Sequence, residues 1–572
     1  MTAAPAARSN DGAVVVAVFG GFGFGLALWA AGTLAGRLWG GAWPRAGAGQ
    51  AGAILAGVIR NPGEPALAWP PSDAALIPGP WAFYAVLGVL LALGAGVAAG
   101  LRRVFGGKRT GDRAAWAEAR DLRSLVVREP ECGRLVLGYS GRRLLATESR
   151  HSVCVMGPTQ TNKTTGFAVP AILEWQGPVL ATSVKDDLVA DTLGWRSTRG
   201  KVWLYDPTNA TGRPSAGWTP LSGVEDWAGA RRVAAWLVSA AETPGGVEDA
   251  DFWHKAATKL IAPYLLAARL AETDMARVVE WIDTQEVDEV AEILGALGPP
   301  AALRAAHANW RREEKQRSSI FTTTEILLDA YADPVVAASA ERSDIHPDLL
   351  FDGGTHTLYI AAPGDDQDQL RPLFGALVHQ VLAAVGRRAA GRRPVDPPLL
   401  VVLDEAANIA PLRNLDALAS TAAGIGVQLV TVWQDMAQIE ARYGRRAQTI
   451  VNNHRAKVLL SGISDPSALD YVSRLSGDEE VTRDSTTRDA SGLRSSTESS
   501  TYRRLAPADA LRRVVPGEGV LVYGHLPPAR LRLRPWYQDA RLSRRAETVA
   551  VARAAPAAEP PLLHAATDNA GT

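Results

Sequence analysis

The chain has 572 residues, 47% hydrophobic and 21% charged, enough for several domains with separate cores. Sixty lysines and arginines balance 60 aspartates and glutamates, which excludes a basic coat for nucleic acid; any such contact has to be local. Cys132 and Cys154 make no disulfide framework, Cys154 reads as a buried thiol, and the nine histidines lack zinc-ligand spacing, so no structural metal is expected.

Two stretches, Ala13 to Gly36 and Trp81 to Leu101, carry no charge and are rich in glycine. Each is long enough to cross a hydrocarbon core of about 30 Å as a helix. A cleaved signal peptide is the other reading of the first, against which stand its weakly charged start and long apolar part. Arg102, Arg103, Lys108, Arg109 and Arg113 follow the second stretch, whereas the loop from Gly40 to Pro80 holds only Arg45 and Arg60 as bases. The positive-inside rule places the N-terminus and the C-terminal bulk in the cytoplasm and leaves that loop as a short external segment.

Next comes an apolar run, "HSVCVM" (151–156), suited to a buried parallel strand, then "GPTQTNKTT" and the helix-spaced "KTTGFAVPAILEW" (163–175). A strand, a loop and a helix in this order form a phosphate cradle, with backbone N–H groups and a helix N-terminus aimed at the ligand. Gly157, Pro158, Thr159, Gln160, Thr161, Asn162, Lys163, Thr164 and Thr165 are the candidate nucleotide-binding residues. Lys163 would reach the β- and γ-phosphates and Thr164 would offer its hydroxyl to Mg²⁺. Asn162 stands where such loops carry a second glycine; asparagine is the side chain that best tolerates a left-handed backbone.

Between "VWLYDPT" (202–208) and "THTLYIAAP" (355–363) the apolar spacing is helical, notably over 227–238, 251–272 and 319–332, with Pro263 expected to kink the second of these. Then "PPLLVVLDEAANIAPL" (397–412) presents an aliphatic strand ending in Asp404 and Glu405. Beside a phosphate loop, Asp404 would hold Mg²⁺ and Glu405 would polarise the attacking water. A further strand lies in "GVQLVTVWQDMAQIEARYG" (426–444), its end placing Gln434 either to sense the γ-phosphate or orient that water, or to cap a turn, and "RAKVLLSG" (455–462) supplies one more strand. The alternation argues for an α/β fold, a mostly parallel, doubly wound sheet. Residues 476–504 are Ser/Thr-rich and charged, a flexible loop or extended hairpin whose Arg483, Arg488, Arg494, Arg503 and Arg504 could touch DNA or simply face solvent. The Ala/Pro-biased tail reads as disordered at its end.

In this order the motifs resemble the type IV secretion coupling proteins, the VirD4/TraG/TraD group of conjugation ATPases. The likeness runs from about residue 10 to 540 and includes "GYSGRRLLATESRHSVCVMGPTQTNKTTGFAVPAILEWQGPVLATSVKDDL", "LYIAAPGDDQDQLRPLFGALVHQVL", "WQDMAQIEARYG" and "IVNNHRAKVLLSG". It implies a RecA-like P-loop NTPase with an all-helical insertion domain and two N-terminal transmembrane helices, working as a homo-hexamer under the inner membrane. It divides the chain into an anchor (1–110), a split motor (111–220 and 346–540), the insertion (221–345) and a tail (541–572). ATP and Mg²⁺ are the implied cofactors; relaxase-bound single-stranded DNA or protein substrates, and the secretion channel, are the implied partners. Lys163, Glu405 and Gln434 would be catalytic, and Thr164 and Asp404 would hold the metal. In a ring, a neighbour's arginine often completes the site, and Arg442 and Arg455 are candidates. Two rivals remain: an FtsK-like double-stranded DNA translocase, and a membrane docking scaffold that binds nucleotide with little hydrolysis.

Overall fold

The computed structural model describes residues 11–105, 114–240, 250–361, 367–390, 393–407, 412–488 and 494–549. Residues 1–112 and 113–572 form two compact units. In the first, helix Asp11–Trp39 is followed by helices Ala51–Arg60, Pro71–Ala74 and Pro80–Phe105. The segment expected to be a short external loop is therefore folded, which corrects the sequence reading. Ile54, Val58 and Trp69 from this segment share a core with Leu28, Ala31 and Phe83. Gly32 admits the Trp69 ring, since a Cβ there would lie 2.1 Å from it. The buried Asp73 carboxylate accepts from the Ala46 N–H at 2.8 Å, so its burial is compensated. Among the described residues one helix, over Pro80–Val97, is long and apolar enough to cross a membrane. The first expected span falls within helix Asp11–Trp39, and the side chains of its residues 13–22 lie outside those described.

The second unit is built on a twelve-stranded sheet. Seven strands run parallel, in the order Ala456–Leu460, Val153–Met156, Val427–Trp433, Leu399–Leu403, Val179–Ser183, Thr357–Ala361, Val202–Tyr205. Their period-two side chains divide between two cores, one on each face. Cys154 and Met156 enter one core, Val153 and Val155 the other. Leu399, Val401 and Leu403 likewise part from Leu400 and Val402. That two-sided burial explains why these strands read as unbroken apolar runs. Beyond Ala456–Leu460 the sheet continues with five antiparallel strands: Glu518–Tyr523, Ala529–Arg532, Val136–Ser140, Arg143–Ala146 and Val126–Val127. The sheet is thus mixed, and the expectation of a mostly parallel one missed this extension, whose strands are short.

Among the described residues, the chain from Trp227 to Ser339 is mainly helical, between the strands at 202–205 and 357–361. Helix Ala250–Leu270 continues through Pro263. Tyr264, fully buried, donates its hydroxyl to the Glu286 carbonyl and accepts from Trp310 Nε1, which ties its own helix to the connection after helix Met275–Asp283 and to the end of helix Pro300–Trp310. Residues Asp478–Arg488 and Arg494–Arg504 form an antiparallel hairpin, separate from the main sheet. Arg503 and Arg504 there pair with Glu479 and Asp478; the side chains of Arg483, Arg488 and Arg494 lie outside those described. Helix Ala540–Ala546 carries regular structure past residue 541, because Leu542 is buried and Arg545 donates to the Leu173 carbonyl. Residues 550–572 of the expected tail lie outside the described ones.

Candidate nucleotide site

Four neighbouring parallel strands leave the sheet at one edge, and the sequence-predicted residues gather there. Met156 lies opposite Trp433, and the Gly157 N–H donates to the Trp433 carbonyl at 3.1 Å. A Cβ on Gly157 would come within 2.9 Å of the Leu460 Cβ and 2.7 Å of the Thr161 hydroxyl, so the loop can start only with glycine. Thr161 Oγ1 closes the turn on the Pro158 carbonyl at 2.8 Å. Thr159 and Gln160 are exposed at its tip. Asn162 adopts φ 62°, the left-handed conformation the missing glycine would have taken, and its Oδ1 accepts from the Thr165 hydroxyl at 3.3 Å. Gln160, at φ 63°, is left-handed too, which its residue type did not announce. The turn that follows, Thr164–Ala168, is π-helical before helix Val169–Glu174 begins; such turns recur at functional sites.

Lys163 folds its ammonium over the loop, donating to the Gly157 and Pro158 carbonyls at 2.6 Å each. Burial lowers its pKa, the Asp404 and Glu405 carboxylates oppose this, and Lys185 adds to it. Thr164 Oγ1 donates to Asp404 Oδ2 at 2.8 Å, so two residues 240 positions apart meet as the spacing of motifs required. Asp404 is 5% exposed, and burial pushes its carboxyl up to about 6; the Thr164 hydrogen bond and Lys163 pull it down, and Glu405 and Asp187 push it further up. Glu405 turns the chain at φ 57°, a left-handed conformation that costs a side-chain-bearing residue roughly 1–2 kcal/mol. The next residue, Ala406, is held by its N–H to the Val432 carbonyl. Gln434 follows strand Val427–Trp433, between the loop and the acidic pair; its backbone N–H donates to Gln438 Oε1 at 3.0 Å. Among the described residues its carboxamide makes no hydrogen bond, and Asp435 is the residue that caps helix Met436–Tyr443.

A hydroxyl and a carboxylate in contact are the oxygen donors a hard cation such as Mg²⁺ prefers. Among the described residues no cluster of three His, Cys, Asp or Glu side chains could hold a metal. A cation at Thr164 and Asp404 would therefore need phosphate oxygens and water for most of its shell, which suits a metal arriving with a nucleotide. The candidate arginines are elsewhere in the subunit. Arg442 donates to the Ala240 carbonyl at 3.3 Å, and Arg455 precedes strand Ala456–Leu460, at the sheet edge opposite the loop.

Sequence reasoning missed three contributors. Lys185 and Asp187, after strand Val179–Ser183, act electrostatically on Lys163 and Asp404. Arg534 braces the loop helix from behind: its N–H donates to the Gly166 carbonyl, and its guanidinium grips Glu174 bidentately at 2.8 and 2.9 Å and Asp539 at 2.8 Å. In "RLRLRPWY" this arginine is in phase with the exposed Arg530 and Arg532 on a period-two strand, so nothing in the sequence singles it out.

Comparison with known proteins places these features in a lineage. The family described as type IV secretory system conjugative DNA transfer matches residues 116–558. The conjugal transfer protein TraG of Escherichia coli is 26% identical over 426 residues, 65% of this chain and 65% of the relative. VirD4 of Agrobacterium fabrum is 24% identical over 423 residues, 71% of this chain and 61% of its own. The chain thus spans less than two thirds of the length of these curated relatives. Among solved structures, the bacterial conjugative coupling protein TrwBdeltaN70 superposes with a TM-score of 0.58 at 19% identity, covering 74% of this chain and 92% of that one. The plasmid coupling protein TrwB in complex with ADP and Mg²⁺ gives 0.57 at 18%, covering 74% and 94%. At these identities the likeness is one of fold, a P-loop ATPase fold with a mixed sheet.

Proposed function

The chain belongs to the type IV secretory system conjugative DNA transfer family, and from that premise we propose that it is a membrane-anchored, Mg·ATP-dependent coupling ATPase that delivers DNA or protein substrates to a secretion channel. The observation that carries this reading is the Thr164–Asp404 hydrogen bond, which joins the phosphate loop to the acidic strand within one subunit. When bound, Mg·ATP supplies the phosphoanhydride whose hydrolysis drives or licenses transfer. Lys163 binds the β- and γ-phosphates, exchanging the two loop carbonyls for stronger anionic acceptors. Thr164 and Asp404 would hold the cation, Glu405 would take a proton from the attacking water, and Gln434 would orient that water. Asn162 supports nucleotide binding, because its left-handed backbone keeps the loop open to phosphate.

Helix Pro80–Phe105 supports the anchor: Val89, Leu93 and Val97 expose their side chains, as a lipid-facing helix would. The stretch from Ala13 to Gly36 is the companion span, and the basic residues after Leu101 keep the ATPase on the cytoplasmic side. A hexameric ring, a relaxase-bound single strand as cargo and a substrate-receiving role for the helical insertion follow the family resemblance. TrwB's complex with ADP and Mg²⁺ supports the same cofactor here. The test compares DNA-stimulated ATP turnover of the purified chain with that of Lys163→Ala. Turnover lost in the variant supports a motor; equal background turnover in both favours a nucleotide-binding scaffold.

A further inference from the structure

Strand Val179–Ser183 runs beside Leu399–Leu403, with Thr182 opposite Leu403, so Lys185 leaves the sheet at the same edge as Asp404 and Glu405. It does so on the flank away from the phosphate loop. The turn that carries it is fixed. Ser183, 2% exposed, donates its hydroxyl to the Lys185 carbonyl at 2.8 Å and accepts from the Lys185 N–H at 3.3 Å. The two acids that follow are engaged elsewhere. Asp186 holds Arg213 through two hydrogen bonds of 3.1 and 3.2 Å, and Asp187 Oδ1 accepts from the Leu188 N–H at 2.8 Å. Among the described residues the Lys185 ammonium has no hydrogen-bond or ion-pair partner, although it is close enough to Lys163 to disfavour that residue's positive charge.

An exposed lysine is ordinarily a solvated surface group. This one stands on a braced turn, with no hydrogen-bond or ion-pair partner among the described residues, after the strand next to the acidic one and on the far side of it from the phosphate loop. We propose that Lys185 is a second phosphate-binding cation, which contacts the terminal phosphate of a nucleoside triphosphate from the flank opposite Lys163. It would supply within one subunit part of the charge stabilisation that ring ATPases take from a neighbour's arginine. This rests on reading the site as an ATP site. A compact ammonium suits the role, since it offers three rotatable donors to a phosphate as a point charge.

The experiment measures binding of fluorescent ATP and ADP analogues to the full chain in detergent, for the wild type and for Lys185→Ala, Lys185→Arg and Lys163→Ala. A lost charged hydrogen bond to the terminal phosphate predicts that Lys185→Ala weakens the ATP analogue by roughly 10- to 100-fold, with the ADP analogue held within about 2-fold. Lys185→Arg should restore most of the difference, and Lys163→Ala should weaken both analogues. An unchanged ATP-to-ADP ratio in Lys185→Ala, with Lys163→Ala impaired, overturns the role of Lys185 and leaves the site reading intact. No binding of either analogue by the wild type overturns both.

Discussion

Across one continuous sheet, the parallel strands end in reactive groups and the antiparallel strands end in packing. At the parallel edge lie a half-buried lysine, a carboxyl raised to about 6 and three left-handed side-chain-bearing residues, Gln160, Asn162 and Glu405. Past the antiparallel strand Ala529–Arg532 lies Arg534, whose ion pair with Glu174 is 7% and 4% exposed and which ties helix Val169–Glu174 to Asp539. The contrast locates stored strain. The reactive edge keeps charges and backbone conformations that disfavour folding, and the antiparallel brace offsets them. Substitutions on the two sides should therefore part cleanly between activity and stability.

The largest effect is expected at Glu405. Replacing the proposed base by glutamine lowers the ATP turnover rate roughly 10²- to 10⁴-fold, with nucleotide affinity and unfolding temperature unchanged. A turnover drop matched by loss of affinity would blur the contrast. On the other side, Arg534→Ala leaves Glu174 buried without its partner and should destabilise the second unit by about 3–5 kcal/mol. Thermal unfolding reads this directly, and adding Glu174→Gln should recover part of the loss. Asp404 offers a test in the opposite direction. Its carboxyl rises from 3.8 to about 6 on folding, so the opposition to folding builds up as pH rises past the lower value and is complete above the higher one; at about pH 3 and below both states are protonated and the effect vanishes. Asp404→Asn should then stabilise the fold by up to about 3 kcal/mol at pH 8 and by almost nothing at about pH 3, while losing Mg²⁺-dependent nucleotide binding. Parallel melting curves at the two pH values check the sign. The smallest effect concerns Asn162: Asn162→Gly should stay within a few tenths of a kcal/mol, whereas Asn162→Ala should cost about 1 kcal/mol.

The reactive edge was legible in the sequence because its signals are local and redundant. A strand buried on both faces must be an apolar run; Asp404 and Glu405 directly follow one, Leu399–Leu403, and Lys163 and Thr164 follow another, Val153–Met156, after the phosphate loop. Asn162 was legible through backbone physics alone, its φ following from the glycine it replaces. The antiparallel strands were missed because two to six residues with mixed burial give little periodicity. Lys185 was quoted within a motif yet given no role, since its relevance depends on which strand pairs beside Leu399–Leu403, a long-range fact. The folded segment between the first unit's long helices was read as loop because it is rich in glycine, proline and alanine. Trp69 against Gly32 and the Asp73 hydrogen bond to Ala46 supply the tertiary contacts that override it.

The most direct test of the account is a structure of the full chain with Mg²⁺ and a non-hydrolysable ATP analogue. The account predicts one Mg²⁺ at about 2.1 Å from Thr164 Oγ1, linked to Asp404 directly or through a water, and the Lys163 ammonium moved from the Gly157 and Pro158 carbonyls to the phosphates. A nucleotide bound elsewhere, or a metal remote from Asp404 with Lys163 still on those carbonyls, would contradict it.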